Sequence, residues 1–491
     1  MNIYENNKQL LTVLGGDAER YSNDYEVRKA ILDTLGGDSS ICSNIYEVDK
    51  QILNIYLEGG GGTGCGTGGG TSKVSYFSVN ANCLTDGVWN GEGIDASAVT
   101  SLTEKFYSIP SLIKIEGVDK WDISSVNNMK GLFRMCQNLQ SIDDVSGWNT
   151  GNVTNMYNMF NNCNSLTNLD LSGWNTGNVT NMSEMFYYCK SLQSVGDLTG
   201  WDVSSVTNMS EMFYYCNSLQ SVGDLTGWNT GNVTDMSYMF YYCNLLENLN
   251  LTGWNTGNVT NMSYMFNECN SLTNLNLTGW DVSSVTNMSF MFNDCKSIQS
   301  FGDLSGWDVS SVTNMSYMFY NCKSIQSFDD LSGWDVSSVT NMNHMFCLNS
   351  LTQIDLSGWD TGNVTDMSYM FSTSSSLTQI DISGWNASNV TNLYNFSQHC
   401  NINTYVGGRT IDEVIENNIS IFNGLNTSID NSGIYNVIQA TADRASLRAL
   451  INGLADRTGQ TSRSLNLGSI LTAKLTEEDI AIATAKNWTI A

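Results

Sequence analysis

The chain has 491 residues, too many for one globular core and enough for an array with flanking modules. Its 48 Asp and Glu against 21 Lys and Arg give a formal net charge of -27. That balance disfavours nucleic acid and anionic membrane as partners, because phosphate binding needs clustered bases.

The chain opens Met1-Asn2-Ile3-Tyr4-Glu5, with no basic n-region and no apolar stretch, so no secretory leader is predicted and folding in a cytosol is expected. No apolar run approaches the roughly 20 residues that span a bilayer, so no membrane insertion is expected. Within residues 1–58, Ile3-Tyr4-Glu5, Asp24-Tyr25-Glu26 and Ile45-Tyr46-Glu47 each open a short amphipathic stretch. Leu14-Gly15-Gly16-Asp17 and Leu35-Gly36-Gly37-Asp38 close the first two, glycine being a helix stop, and three short helices are predicted. Residues 59–72, GGGGTGCGTGGGTS, read as a flexible linker. The tract lacks the Gly-Lys-Ser/Thr ending of a phosphate loop. Residues 73–120 read as a cap with one degenerate coil, in which Phe106 falls on the phenylalanine of the repeats that follow.

Residues 121–400 hold the dominant signal. Trp121, Trp148, Trp174, Trp201, Trp228, Trp254, Trp280, Trp307, Trp334, Trp359 and Trp385 recur at steps of 25 to 27 residues. A fixed period in this range predicts an α/β solenoid of about eleven coils, each burying its apolar face only against its neighbours. In the unit that starts at Trp148, Leu166, Leu169 and Leu171 make a Leu-x-x-Leu-x-Leu strand. Met156, Met159 and Phe160 suit one face of a short helix or 3₁₀ turn, so each coil is expected to carry a strand, a turn and a helical return. At about 4.8 Å per coil the array would be roughly 50 Å long.

Cys136, Cys163, Cys189, Cys216, Cys243, Cys269, Cys295 and Cys322 share one repeat position, and Cys400 takes it in the last unit. A column at whole-coil spacing reads as small buried apolar residues, not disulfides. With only His344 and His399 to assist, no metal site is predicted. The methionines read as core filler, and each Trp N–H is expected to reach a backbone carbonyl.

Three features vary within the repeat and are candidates for function. Four residues before each tryptophan from Trp148 on lies an Asp/Asn column that includes Asp170, Asp197 and Asp224, interrupted by Asn250 and Asn276. It is either a calcium or ligand stripe, or a solvated row of turn residues. The strands before Trp148, Trp201, Trp228, Trp307 and Trp334 carry one extra residue, expected as a bulge that curves the sheet unevenly. Tyr187, Tyr188, Tyr214, Tyr215, Tyr241 and Tyr242, with Tyr238, Tyr264 and Tyr317 nearby, would stack into one patch, either a contact surface for sugar or protein or partly buried between coils. The six paired tyrosines and Asp170, Asp197 and Asp224 are the candidate ligand contacts. The Asn-x-Ser/Thr triplets, as at Asn152-Val153-Thr154, follow from the repeat.

Residues 401–491 lose the period. Residues 410–415, 445–451 and 475–485 read as helices, the last with a Thr cap, and 465–469 as a strand, together a C-terminal cap.

The unit Leu-x-x-Leu-Asp-Leu-Ser-Gly-Trp-Asp/Asn-x-Ser/Gly-x-Val-Thr-Asp/Asn-Met-Ser-x-Met-Phe resembles the BspA-like leucine-rich repeats of bacterial surface proteins. That resemblance implies a secreted adhesin. The Tyr-Glu repeats of the N-terminus, with Ser446-Leu447-Arg448-Ala449-Leu450-Ile451 and Ala483-Thr484-Ala485-Lys486-Asn487-Trp488, resemble appendage proteins of crAss-like phages, which need no leader. Together these resemblances imply a non-enzymatic virion fibre, on the head or associated with the tail. Residues 1–58 would anchor it on capsid or tail proteins, and the array would meet a host surface protein or glycan, in a homo-oligomer. The alternatives are a bacterial surface adhesin and a polysaccharide hydrolase using the Asp column. Neither cofactor nor catalytic triad is predicted.

Overall fold

The computed structural model describes residues 79–382, part of 385–400, and residues 404–405, 448, 451, 463–465 and 475–490. The three N-terminal helices, the glycine linker, most of the 401–491 cap and the helix expected at 410–415 lie outside the described residues.

The tryptophan period is a stack of coils in parallel register. Asparagine or its equivalent in the Val-Thr-Asn-Met stretch pairs with the same position of the next coil without a break, from Ser101 and Asn128 through Asn181, Asn208 and Asp235 to Asn392. A second parallel ladder runs along the leucine strands, but in pieces. β1 (Val88–Asn90), β2 (Lys114–Glu116) and β3 (Ser141–Ile142) form one sheet. Single pairings then join Asn168 to Ser194 and Ser221, and Asn248 to Asn274 and Ser300. β4 (Gln353–Asp355), β5 (Gln379–Asp381) and β6 (Thr404–Tyr405) form the last sheet. Pairing stops wherever a unit with the extra residue is followed by one without it, as between Ser221 and Asn248. The longer strand is then one peptide out of step with its successor. Gly196, Gly223 and Gly302 are extra residues of this kind and take φ of 83°, 80° and 75°. A Cβ on Gly196 would lie 2.5 Å from Asp170 Oδ1, so glycine is required there.

The interior is built of ladders. Phe160, Phe186, Phe213, Phe240 and Phe266 stack at 5.2–5.9 Å between centroids, and Trp201, Trp228, Trp254 and Trp280 at 5.9–6.2 Å. Each tryptophan buries its ring, and Trp174, Trp201 and Trp228 donate Nε1–H to the carbonyls of Val145, Leu171 and Leu198 in the preceding coil. The N–H groups of Trp280 and Trp307 are buried without an acceptor.

Of the short helix or 3₁₀ turn expected for the return, the structure has i to i+3 turns and no α-helix, which corrects the α component of the coil. Met182 to Cys189 forms neither α-helix nor strand. Its odd-numbered amides close i to i+3 turns within the coil, Met185 N–H to Met182 O, Tyr187 to Glu184 and Cys189 to Phe186. Its even-numbered amides bond across to the next coil, Met182 to Asn208 O, Glu184 to Ser210 O, Phe186 to Met212 O and Tyr188 to Tyr214 O. A helix is about 10 Å across and does not fit a stack whose rings repeat every 5–6 Å, whereas this turn ribbon satisfies every amide at that spacing.

The cysteines of the column are in no disulfide, and those from Cys136 to Cys322 are buried. Cys189 Sγ donates to Phe160 O at 3.1 Å, and Ser374 and Asn349 take the same role in units that lack cysteine. Burial pushes the Cys189 and Cys269 thiols up to about 12. The column should therefore resist iodoacetamide in the native protein at pH 8 and react fully in denaturant. Native labelling of Cys189 or Cys216, read by peptide mass spectrometry, would overturn this packing role.

At the C-terminal end, β7 (Arg463–Leu465) pairs in parallel with β8 (Trp488–Ile490). α1 (Glu477–Ala485) lies between them in sequence, started by a capping box between Thr476 and Asp479. The expected Thr cap is present; of the strand expected at 465–469 only Leu465 is among the described residues, at the end of β7.

Candidate functional site: an aromatic face

Most polar columns are consumed in turning and stacking the coils. Oδ1 of Asp170, Asp197 and Asp224 accepts the amide two residues on, from Ser172, Thr199 and Thr226 at 3.0 Å. Hydrogen bonds from Thr199 hold the Asp197 carboxyl below its ordinary range. These three aspartates are exposed and serve as Asx-turn caps. Asn175 and Asn181 cap two further corners of the coil in the same way. The sequon residue Asn178 donates Nδ2–H to Gly151 O. Among the described residues, no three His, Cys, Asp or Glu side chains are grouped to hold a metal ion.

The tyrosines come together as the repeat spacing implies. Tyr187, Tyr214 and Tyr241 stack at 4.6 Å per step, and Tyr188, Tyr215 and Tyr242 at 4.7 and 4.4 Å. All six are half-buried. A third ladder continues along the array: Tyr238, Tyr264, Phe290, Tyr317, His344 and Tyr369, at 4.2–4.5 Å per step. Tyr214 and Tyr241 join it to the first ladder through tilted contacts to Tyr238 at 5.9 and 5.7 Å. Phe290, His344 and Tyr369 were missed in the sequence, and aligning the third residue after the Asn of each unit would have found them.

Backbone conformation sets this face apart. The third ladder and the Tyr188 ladder lie at the two left-handed positions of the turn ribbon. Tyr188, Tyr215, Tyr238, Tyr242, Tyr264, Phe290, Tyr317 and Tyr369 have φ between 55° and 61°. Bulky L-residues avoid this region at a cost of roughly 1–2 kcal/mol each. Some other units fill the same positions with Gly131, Asn158 and Asn321, residue types the region favours, and others with Glu104, Met135, Glu268 and Leu348.

Two carboxylates continue the third ladder toward the N-terminus. Glu184 accepts from Tyr157 Oη at 2.9 Å and from Asn161 Nδ2 at 2.8 Å. Glu211, half-buried in the next coil, has its carboxyl pushed up by desolvation and then by Glu184 and Asp235. Desolvation, reinforced by its neighbours Tyr241, Tyr187, Tyr188 and Glu211, pushes the Tyr214 phenol up.

His344 is stacked between Tyr317 and Tyr369, with Nδ1 buried and unbonded. Burial lowers its pKa to about 4 against an opposing pull from Asp366. Between pH 6.5 and about 4 the unfolded chain takes up a proton that the folded one refuses. Stability from this site is therefore present above pH 6.5 and lost as pH falls toward 4. Glu211 and Glu268, whose values are raised, act in the opposite direction. The His344→Tyr variant should lose the downward slope in urea midpoint over that window, and an unchanged slope would refute the assignment.

No curated protein matches the chain. Among solved structures, a leucine-rich cell surface protein from Faecalibacterium prausnitzii is 18% identical, covering 69% of this chain and 86% of its own, at a TM-score of 0.31. The TLR13–ssRNA13 complex gives 16%, 62%, 51% and 0.19, and the Toll–Spatzle complex of Drosophila 13%, 60%, 44% and 0.20. The profile of the family described as "Mycoplasma protein of unknown function, DUF285" matches residues 100–222, 168–274, 220–331 and 325–432. It leaves residues 1–99 and 433–491 unmatched, and no comparison supports the expected resemblance of the ends to phage appendage proteins. Since these segments span well over half of the 491 residues, the chain belongs to the DUF285 family.

Proposed function

We propose that this chain is a non-enzymatic binding protein of the adhesin type, and that its tyrosine face docks a macromolecule on a cell surface. The observation that carries this reading is the choice of Tyr and Phe at left-handed positions where glycine or asparagine would be cheaper. Solenoid packing does not need them, since units with Gly131 or Asn158 fold in the same register. The stacked rings spend their faces on one another and offer edges and hydroxyls outward. That geometry favours a polypeptide over a sugar, which would need an open ring face.

Replacing Tyr187, Tyr214 and Tyr241 with serine should abolish retention of the purified protein on mucin-coated or host-cell surfaces. Undiminished retention by a folded triple variant would end this reading. The narrower proposals are a virion head or tail-associated fibre anchored through residues 1–58, displayed in several copies for avidity, and a bacterial surface adhesin. Mass spectrometry of purified virions separates them.

A further inference from the structure

The chemistry of the face points to the partner. Residues 191–295 contain no Lys, Arg or His, yet they hold nine Asp and Glu. This stretch carries Tyr214, Tyr215, Tyr238, Tyr241, Tyr242 and Tyr264. It also holds Leu245, one of two large apolar side chains exposed among the described residues. Elsewhere on the same turn ribbon, bases sit on tyrosine rings. Lys130 lies 5.4 Å from the Tyr157 centroid, Arg134 5.4 Å from Tyr107, and Lys190 5.0 Å from Tyr188 and 5.7 Å from Tyr215. Beyond Lys190 the pattern of rings and carboxylates continues without the cations.

We infer that the occupant of this face is an extended polypeptide segment with closely spaced Lys or Arg, its cationic groups seated against Glu184, Glu211 and the rings of Tyr187, Tyr214 and Tyr238. This inference rests on the binding reading above. Glu184 is already held in place by Tyr157 and Asn161, so an incoming guanidinium meets a pre-positioned acceptor. Glu211 makes no ion pair in the structure and follows Glu184 in the column. A cation seated there relieves the repulsion between the two carboxylates. Tyr214 and Tyr238 meet at 52° at that corner, unlike the parallel stacks on either side. The carboxylates of Glu184 and Glu211 attract the cation, and Lys190, 5.0 Å from the Tyr188 centroid and 5.7 Å from that of Tyr215, marks where a cation meets the rings of these stacks.

The test is fluorescence anisotropy of a labelled deca-arginine peptide with the full chain. Glu184→Gln/Glu211→Gln keeps side-chain shape and should weaken binding about tenfold. Glu92→Gln/Asp119→Asn removes two exposed charges elsewhere, gives the same net charge, and should stay within about twofold. Equal loss in both variants would mean attraction to net charge alone and would overturn the inference, as would no loss in either. Surface retention separates this failure from that of the broader reading. Retention lost with the tyrosines but indifferent to Glu184→Gln/Glu211→Gln sinks only the cationic partner, and retention indifferent to both sinks both.

Discussion

Truncating Phe240 to alanine should cost about 3–5 kcal/mol and split the unfolding of the array into two transitions. Phe240 is fully buried and stacks at 5.4 Å on Phe213 and 5.9 Å on Phe266. The methionine–phenylalanine layer leaves no loop that could collapse into the hole, because the backbone on both sides is tied to its neighbours. Phe240 N–H bonds to Met265 O at 2.9 Å, and Phe240 O accepts from Cys269 Sγ at 3.1 Å. The cost therefore stays near the upper end for phenylalanine.

A solenoid has no contacts between distant coils, so cooperativity passes only through each interface in turn. Weakening one interface near the middle uncouples the coils before it from those after it. Calorimetry should show two endotherms where the parent shows one. Hydrogen exchange should lose protection first in the coil of Phe240. A single transition shifted as a whole would mean that stability is shared globally, against the nearest-neighbour description. Phe240→Leu, which keeps most of the volume, should retain one transition.

The parts of this fold that are visible in the sequence are those that a column makes explicit. The Trp-to-Trp step gives the coil, and the cysteine at a constant offset gives a small buried residue, because a disulfide cannot form along a row of equivalents. Asp170, Asp197 and Asp224 carry the turn chemistry expected of Asp before Ser-Gly or Thr-Gly. Met182, Met185 and Phe186 have the spacing of a helix face, but the return holds i to i+3 turns and no helix. What excludes a helix is the distance between coils, a property of the stack and not of the segment. The left-handed positions were hidden for a related reason. A sequence reveals such a position through Gly or Asn, and here it is filled by Tyr238, Tyr264 and Phe290, residues that signal strand. His344 and Tyr369 looked like scatter until the coils put them in one row.

Tyr214 and Tyr215 offer a direct measurement of what that hidden strain costs. Both are half-buried, and both sit in the middle of a three-ring stack, Tyr214 at 4.6 Å from Tyr187 and Tyr241, Tyr215 at 4.7 and 4.4 Å from Tyr188 and Tyr242. Their backbones differ: Tyr215 has φ of 61°, whereas Tyr214 is not among the positive-φ residues. Replacing either with glycine forfeits two stacking contacts of about 0.5–1.5 kcal/mol each. At Tyr215, glycine regains roughly 1–2 kcal/mol by relieving the left-handed strain. At Tyr214 it adds about 0.5–1 kcal/mol of backbone entropy cost. The loss of ring contacts being matched, Tyr214→Gly should therefore cost about 1.5–3 kcal/mol more stability than Tyr215→Gly. Both should reduce surface retention of the protein by about tenfold or more, since each removes a central ring of the docking face. Retention falling in a variant whose urea midpoint has not moved assigns Tyr215 to binding. Retention that survives in Tyr215→Gly, with stability lost, would mean that the ring is kept for the stack itself, and the strain at this face would then have no partner to explain it.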